Sequence, residues 1–189
     1  MAAYKDLVGQ KITKVTSNPG EPKTGQMWYN STNGKLRGLG IVEAFSSGAP
    51  LATGRAQGSG AGTQTAGLFV GGRLGPPGDT TACENYNGTG WSSIPSLITA
   101  RRAISGAGTQ TATLAFGGQE PSLSSKTEGY DGTSWSTRPS LATARYTAVG
   151  SGTQTSALAS GGGNPTATNA TEEFTGETTA ANITDFSTE

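Results

Sequence analysis

One four-residue motif occurs three times in this chain, and its spacing constrains the fold more than any other feature of the sequence. Gly-Thr-Gln-Thr stands at residues 62–65, 108–111 and 152–155, so successive copies begin 46 and 44 residues apart. Repetition at such a period is typical of architectures in which each unit is one supersecondary structure. Other residues recur in register with the motif: Leu51, Leu97 and Leu141; Arg55, Arg101 and Arg145; Glu84, Glu128 and Glu172.

Each unit divides into segments of strand length that are separated by turn residues. In the middle of the chain we predict strands near residues 91–94, 102–106, 111–116 and 126–130. Four short antiparallel strands in a unit of this length are typical of a blade of a β-propeller. The sequence therefore predicts an all-β fold. Region 44–176 would hold three four-stranded repeats, at about 45–90, 91–134 and 135–176, between an N-terminal segment, 1–43, and a tail, 177–189.

The residue types that the chain lacks exclude most catalytic and metal-binding arrangements. It has no histidine and one cysteine, Cys83, so neither a histidine-dependent nucleophile nor a cluster of His or Cys metal ligands can form. Its 13 basic and 13 acidic side chains cancel, which argues against nucleic acid and anionic membranes as partners. No stretch has the roughly 20 apolar residues of a membrane span. We therefore expect no enzyme activity, no cofactor, no metal, no nucleic acid and no membrane insertion.

A Gly-Gly doublet that ends an apolar strand, followed by an aromatic pair, gives the units a resemblance to the kelch repeat. The residues that carry it are Gly71, Gly72, Tyr86 and Trp91; Gly117, Gly118, Tyr130 and Trp135; and Gly161, Gly162 and Phe174. Phe45 occupies the place of the tryptophan ahead of the first set, and no tryptophan follows Phe174. The resemblance covers about residues 45–174 and implies that these residues form the repeat cores.

The amino-acid sequence of the units has a more specific resemblance than the general kelch pattern. TARRAISGAGTQTATLAFGG and TEGYDGTSW resemble Gly/Thr-rich kelch-like virion proteins of marine tailed bacteriophages. Residues 25–37, GQMWYNSTNGKLR, are similar to a module near the start of phage fibre and tail-associated proteins, and residues 172–189 resemble their endings, which implies a complete chain. The resemblance implies a virion structural protein, assembled in the host cytoplasm and exposed on the particle as a fibre, tail or capsid appendage involved in host attachment.

The N-terminal segment is the candidate for attachment to other virion proteins. We predict a β-hairpin around Asn33-Gly34, which is the strongest two-residue turn signal. Trp28 and Tyr29 are adjacent in its first strand, so their side chains face opposite ways and one of them can anchor a partner. The candidate docking residues are Trp28, Tyr29, Asn33 and Gly34.

Three units are too few for a closed propeller, which has roughly 4 to 8 blades. An open array leaves a sheet edge and an apolar face that have to be covered, so we expect a homo-oligomer or a complex. Two chains could form one six-bladed ring, three chains could associate around an axis as fibre proteins do, or the strands could be held against other virion proteins. The fibre-like resemblance favours the trimer, with the dimer as an alternative.

The recurring arginines and aromatics each have a functional and a structural interpretation. The arginines either line a binding surface or pair with the recurring glutamates, and a charge repeated in every unit favours pairing. The aromatics either stack on sugar rings or form the unit cores, and their size in a chain of small residues favours the cores.

The variable loops after the Gly-Gly doublets are better candidates for recognition. They span residues 73–81, 119–125 and 164–169, and their equivalent positions predict that all three emerge on one side of the array. Their Pro, Gly, Ser, Thr and Asn residues suit contact with a host-surface glycan, or make a plain solvated connection. A carbohydrate-binding adhesin without a primary structural role is therefore the alternative function. The candidate recognition residues are Arg73, Asp79, Gln119, Ser122, Asn164 and Asn169.

Overall fold

The computed structural model describes residues 12–21, 26–38, 45–75 and 78–176, and all regular secondary structure in them is β. Two compact units divide the chain, residues 1–47 and residues 48–189. In the described part of the chain, no helix is present that could cross a membrane. The predicted tail at 177–189 lies outside the described residues, as do residues 1–11, 22–25 and 39–44 of the predicted N-terminal segment and residues 76–77 of the first loop.

The N-terminal unit contains a three-stranded sheet of β1 (Thr13–Val15), β2 (Met27–Asn30) and β3 (Lys35–Gly38). β2 and β3 form the predicted hairpin, whereas β1 runs parallel to β2 and was not predicted.

The hairpin turn is longer than the predicted two residues at Asn33-Gly34. Asn30 pairs with Lys35, which leaves a four-residue loop at 31–34. The loop is held from within, because the side-chain carbonyl of Asn30 accepts the N–H groups of Thr32, at 3.0 Å, and Asn33, at 3.3 Å. An Asx turn of this kind competes with the tighter turn that the Asn-Gly pair favours.

The first sheet of the array is antiparallel and consists of β4 (Ser59–Thr63), β5 (Ala66–Val70), β6 (Cys83–Tyr86) and β7 (Trp91–Ile94), in that order. The strand that begins at Trp91 pairs with β6, so it completes this sheet rather than starting the next one. The sheets are therefore offset by one strand from the sequence repeats.

The second and third sheets follow the same plan. The second consists of β8 (Ser105–Gly108), β9 (Thr113–Phe116), β12 (Thr127–Tyr130) and β13 (Trp135–Arg138), and its loop carries a hairpin of β10 (Gln119–Glu120) and β11 (Ser122–Leu123). The third has three described strands, β14 (Val149–Gly152), β15 (Ser156–Ser160) and β18 (Thr171–Thr175), and its loop carries β16 (Gly163–Asn164) and β17 (Thr166–Ala167). The all-β prediction is confirmed, with antiparallel sheets that resemble propeller blades.

The apolar core lies between successive sheets. One cluster joins the first and second sheets: Leu68, Val70, Cys83, Leu97, Ile104, Ala115, Tyr130 and Trp135. A smaller cluster joins the second and third: Ala107, Leu114, Phe116, Ala157 and Ala159. Phe45 departs from the core role that its repeat position predicts, because its side chain is fully exposed. Among the described residues the array has no sheet before its first one, and so no sheet-to-sheet core that Phe45 could join by its repeat position.

The three Gly-Gly doublets end β5, β9 and β15 at equivalent points. All six glycines have positive φ, between 55° at Gly71 and 106° at Gly72. Only glycine adopts such angles freely, so the doublets turn the chain from each strand into its variable loop.

Candidate functional site

The recurring arginines pair with the recurring glutamates, as the structural interpretation predicted. The Arg101 guanidinium is fully buried and lies 2.9 Å from Glu128. Its Nη1 also donates to the carbonyls of Gly117, at 2.8 Å, and Lys126, at 2.7 Å, while the other Glu128 oxygen accepts the N–H of Ile98 at 2.7 Å. Burial lowers the pKa of Arg101, and the pairing with Glu128 opposes that shift. This pair holds together both ends of the variable loop.

An equivalent Arg–Glu ion pair occurs in the first and third sheets. Arg55 lies 2.9 Å from Glu84, whose second oxygen accepts the N–H of Ala52 at 2.9 Å. Arg145 pairs with Glu172, which is more exposed than the other two glutamates. All three arginines are thus used inside the array, and none is left as a binding residue.

The aromatic pairs also belong to the scaffold. The rings of Tyr86 and Trp91 are 5.0 Å apart between centroids, and those of Tyr130 and Trp135 are 5.1 Å apart. Tyr130 and Trp135 are buried between the first two sheets, which is the predicted core role, whereas Tyr86, Trp91 and Phe174 are half-buried.

The three variable loops start from one equivalent main-chain bridge. The residue that follows each Gly-Gly doublet, Arg73, Gln119 or Gly163, pairs with the residue that follows the recurring arginine. Arg73, for example, exchanges two hydrogen bonds with Ala56, at 2.7 and 2.9 Å. Beyond the bridge the loops present exposed side chains: Arg73, Ser122, Asn164 and Asn169.

An open cleft of about 490 Å³ lies between the first and second loops, and we name it the loop cleft. Its charged lining consists of Arg73, Asp79, Arg102 and Glu120. Arg102 reaches across to Asp79 and donates to its two carboxylate oxygens at 2.7 and 3.1 Å. Glu120 pairs with Lys126 at 2.5 Å. The cleft thus offers guanidinium donors and carboxylate acceptors close together, which suits hydroxyl-rich or charged ligands.

Sequence reasoning found Arg73 and Asp79 but missed Arg102, Glu120 and Lys126. A signal was available for Arg102, because the equivalent positions hold Ala56 and Tyr146. Because only one of the three units has a charged residue at this position, the charge is not needed for the architecture that the units share. The structure brings Arg73 and Asp79 together in the loop cleft. Gln119 and Ser122 lie on the neighbouring hairpin of β10 and β11. Asn164 and Asn169 belong to the third loop.

The docking candidates of the N-terminal unit differ in the solvent exposure of their side chains. Trp28 is buried and its indole N–H donates to the side chain of Asn18 at 3.3 Å, while Tyr29 is 38% exposed. Asn33 and Gly34 occupy the loop, where Gly34 has a φ of 67°. Tyr29 is therefore the member of the aromatic pair that a partner can reach.

Cys83 is the first residue of β6, and its buried thiol donates to the Thr81 carbonyl at 3.4 Å. Burial raises the pKa of Cys83, which keeps it in the unreactive thiol form. Among the described residues, no group of three or more His, Cys, Asp or Glu side chains could hold a metal ion.

Comparison with known proteins identifies the fold. No family model matches the sequence, and no curated protein matches it. Among solved structures, that of YjhT is similar with a TM-score of 0.58 and 13% identity, over 80% of this chain and 49% of that chain. The chain thus spans about half the length of the structure it matches. At this identity the likeness shows the fold alone.

Proposed function

We propose that this chain is a structural protein of a tailed-phage virion, exposed as a fibre, tail or capsid-surface appendage with a part in host attachment. The observation behind the proposal is that the recurring buried charges serve the array itself, while the loops that vary between units carry the exposed polar side chains. A scaffold of that kind presents a surface and needs no catalytic group. The resemblance of the repeats and of residues 25–37 to phage proteins supplies the biological setting.

In this proposal the two units divide the work. The array carries three kelch-like sequence repeats, at about residues 45–90, 91–134 and 135–176, and association with other chains completes their four-stranded sheets. The N-terminal unit attaches the array to other virion proteins through the exposed face that holds Tyr29.

The proposal is tested by quantitative mass spectrometry of purified particles. We expect the chain in stoichiometric amounts relative to the major virion proteins, and accessible to antibodies against the loop residues 119–125. Its presence only in extracts of infected cells, with none in purified particles, would contradict the proposal.

The loop cleft favours a second candidate, a carbohydrate-binding adhesin. Arg73 is exposed there beside the Arg102–Asp79 pair, an arrangement that can bind sugar hydroxyl or carboxylate groups. On a glycan array, we expect Arg73→Ala to abolish binding and Asn164→Ala, in the third loop, to leave it unchanged. Absence of glycan binding by the assembled wild-type protein would rule this candidate out.

A further inference from the structure

Hydrogen bonds between equivalent residues link each sheet to the next. The N–H of Ala103 donates to the Gln57 carbonyl at 2.7 Å, and one sheet later the N–H of Thr147 donates to the Ala103 carbonyl at 2.9 Å. These three residues occupy the same repeat position and share a positive φ of 51° to 58°. Ala103, in the second sheet, therefore donates a bond to the first sheet and accepts one from the third.

Two further bonds recur in the same way. The N–H of Gly72 donates to the Arg101 carbonyl at 2.9 Å, and that of Gly118 to the Arg145 carbonyl at 2.8 Å. The glutamine of the Gly-Thr-Gln-Thr motif forms the other bond, since the Gln110 side chain donates to two main-chain carbonyls of the first sheet, at 2.6 and 3.0 Å. Its equivalent in the third sheet bonds to the second sheet in the same manner.

At the two ends of the array, the equivalent hydrogen-bonding groups have no partner among the described residues. The groups at one end complement those at the other end. Within the described residues, the Thr147 carbonyl and the Gly162 N–H have no partner at the end of the third sheet. The Gln57 N–H, the Arg55 carbonyl and the Gln64 side-chain amide have none at the start of the first sheet. By repeat equivalence, the Gln57 N–H matches the Thr147 carbonyl and the Gly162 N–H matches the Arg55 carbonyl. The Gln64 amide matches the main-chain carbonyls of Ala157 and Phe174, which are the equivalents of the acceptors of Gln110 and Gln154.

The third sheet also lacks a described fourth strand, and the sequence contains a segment that fits. In the first two sheets the fourth strand is β7, which begins Trp91-Ser92-Ser93, or β13, which begins at Trp135. Phe45-Ser46-Ser47 stands 46 residues ahead of Trp91-Ser92-Ser93 and differs from it only in the aromatic residue. By the repeat, this segment belongs to a sheet that precedes the first.

A cavity marks the place of the missing aromatic side chain. Trp135 fills the space between the first and second sheets, where its indole N–H donates to the Pro95 carbonyl at 2.9 Å. The equivalent space between the second and third sheets is a cavity of about 320 Å³, whose lining includes Pro139, Leu141 and Phe174. Pro139 is the repeat equivalent of Pro95.

We propose that a second copy of this chain closes the array into a ring of six sheets. Its residues 45–47 add the fourth strand to the third sheet by β-augmentation, and its Phe45 ring enters the cavity. In the register of the other sheets, Phe45 of the second copy lies opposite Phe174 and Ser46 lies opposite Glu173. The inference is independent of the proposed virion role.

Two-fold symmetry makes the two junctions of such a ring identical, so both ends of both arrays are paired. Six sheets lie within the usual range of roughly 4 to 8 blades, whereas a ring of three chains would have nine. The open ends thus favour the dimer over the trimer that the fibre resemblance implies.

The first test measures the mass of the full chain in solution by light scattering. We expect twice the 19.0 kDa of one chain. Phe45→Ala should raise the dissociation constant at least about ten-thousandfold, because each of the two identical junctions loses a buried aromatic ring. Phe45→Trp should keep the dimer, because its indole N–H can donate to the Pro139 carbonyl. The control Ile98→Ala, at another exposed apolar side chain, should change nothing. A monomeric or trimeric wild-type protein would overturn the proposal.

The second test uses a glycine that faces open space in the single chain. A Cβ at Gly60 would meet only the Leu68 carbonyl, at 3.6 Å, whereas one at Gly150 would lie 2.1 Å from the Gly106 carbonyl of the neighbouring sheet. In the ring, Gly60 faces the third sheet of the second copy. Gly60→Ala should therefore abolish the dimer while the monomer keeps its circular dichroism spectrum. A Gly60→Ala dimer of wild-type affinity would refute the two-fold ring.

A cross-link tests the strand register directly. Ser46→Cys and Glu173→Cys chains, mixed under mild oxidation, should form a covalent dimer on a non-reducing gel. Ser92→Cys with Glu173→Cys is the matched control, because Ser92 has the equivalent repeat position but its strand is already paired with β6. The native thiol of Cys83 is buried and should stay out of the reaction. Equal cross-linking in the control would contradict the proposed register.

Discussion

Two sheet-to-sheet interfaces of the array use the same repeat positions with different side chains. Between the first and second sheets, Ile104 and Trp135 meet Leu68 and Val70, and all four are buried. Between the second and third sheets, Ala148 stands in the place of Ile104, and no tryptophan occupies the place of Trp135 among the described residues. The first interface is filled, and the second holds the cavity of about 320 Å³.

The difference shows which part of a repeat makes its core. The inner strands and Gly-Gly turns are nearly the same at both interfaces, so they determine the geometry of the sheets. The aromatic at the start of the fourth strand determines whether the space between two sheets is closed. Addition of one strand that begins with an aromatic residue can therefore fill the cavity between the second and third sheets.

The largest effect is expected from removing the aromatic side chain that fills the interface between the first and second sheets, which makes it resemble the interface between the second and third. Trp135→Ala should lower the free energy of unfolding by about 4 kcal/mol, since it removes a buried ring and the bond to the Pro95 carbonyl. Urea unfolding followed by far-UV circular dichroism measures the loss. Ser136→Ala, at the exposed neighbour, is the control. A loss below about 1 kcal/mol would show that the aromatic does not hold this interface together.

The next effect compares the buried ion pairs of the second and third sheets. Glu128→Gln leaves the buried Arg101 without its counter-charge and should cost about 3 kcal/mol. Glu172→Gln should cost less, because the Glu172 side chain is 22% exposed against 3% for Glu128, so water screens the loss. Urea unfolding of both variants checks the order, and equal losses would contradict it.

The four-stranded sheets could be predicted from the sequence, but the strand at which each sheet begins could not. The doublets, the Gly-Thr-Gln-Thr turns and the aromatic pairs recur with a strand-sized spacing, and that pattern alone indicates four-stranded units. A periodic sequence does not mark where a unit begins, however. Only the pairing of Trp91 with Tyr86 shows that an aromatic-led strand ends a sheet.

The loop cleft was beyond the reach of the repeat pattern for a related reason. Its principal ion pair joins Arg102 and Asp79, which lie 23 residues apart and belong to different units. Repeat equivalence predicts what is shared between units, and neither residue is shared. The Arg–Glu pairs could be predicted because both members recur, whereas this pair depends on how two loops happen to meet.

A smaller effect tests how closely the inner strands approach. A Cβ at Gly150 would lie 2.1 Å from the Gly106 carbonyl oxygen, which is main chain and cannot rotate away. Gly150→Ala should therefore cost about 2 kcal/mol through overpacking between β8 and β14. Thermal unfolding of Gly150→Ala and Gly60→Ala, both at concentrations where the protein is monomeric, separates the two sites. Equal stability of the two variants would contradict close contact between β8 and β14.

The smallest effect concerns the turns that lead into the fourth strands, where the first and second sheets differ by one charge. The Asp131 side chain accepts the N–H groups of Thr133, at 2.8 Å, and Ser134, at 2.7 Å, and Asn87 makes the same kind of turn in the first sheet. These bonds, led by that from the Thr133 hydroxyl, lower the pKa of Asp131 below its usual value.

Because the folded pKa lies below the unfolded value of about 3.9, the carboxylate contributes fully above about pH 4. Its contribution is lost as the pH falls further, through the folded pKa. Asp131→Asn should therefore keep the turn, as Asn87 does, and leave the Tm at pH 7 within about 2 °C of wild type. Between about pH 4 and pH 2 the Tm of the variant should fall less steeply, since it has no carboxylate to protonate. Parallel curves for the two proteins over that range would show that the charge of Asp131, unlike its hydrogen bonds, adds nothing to the turn.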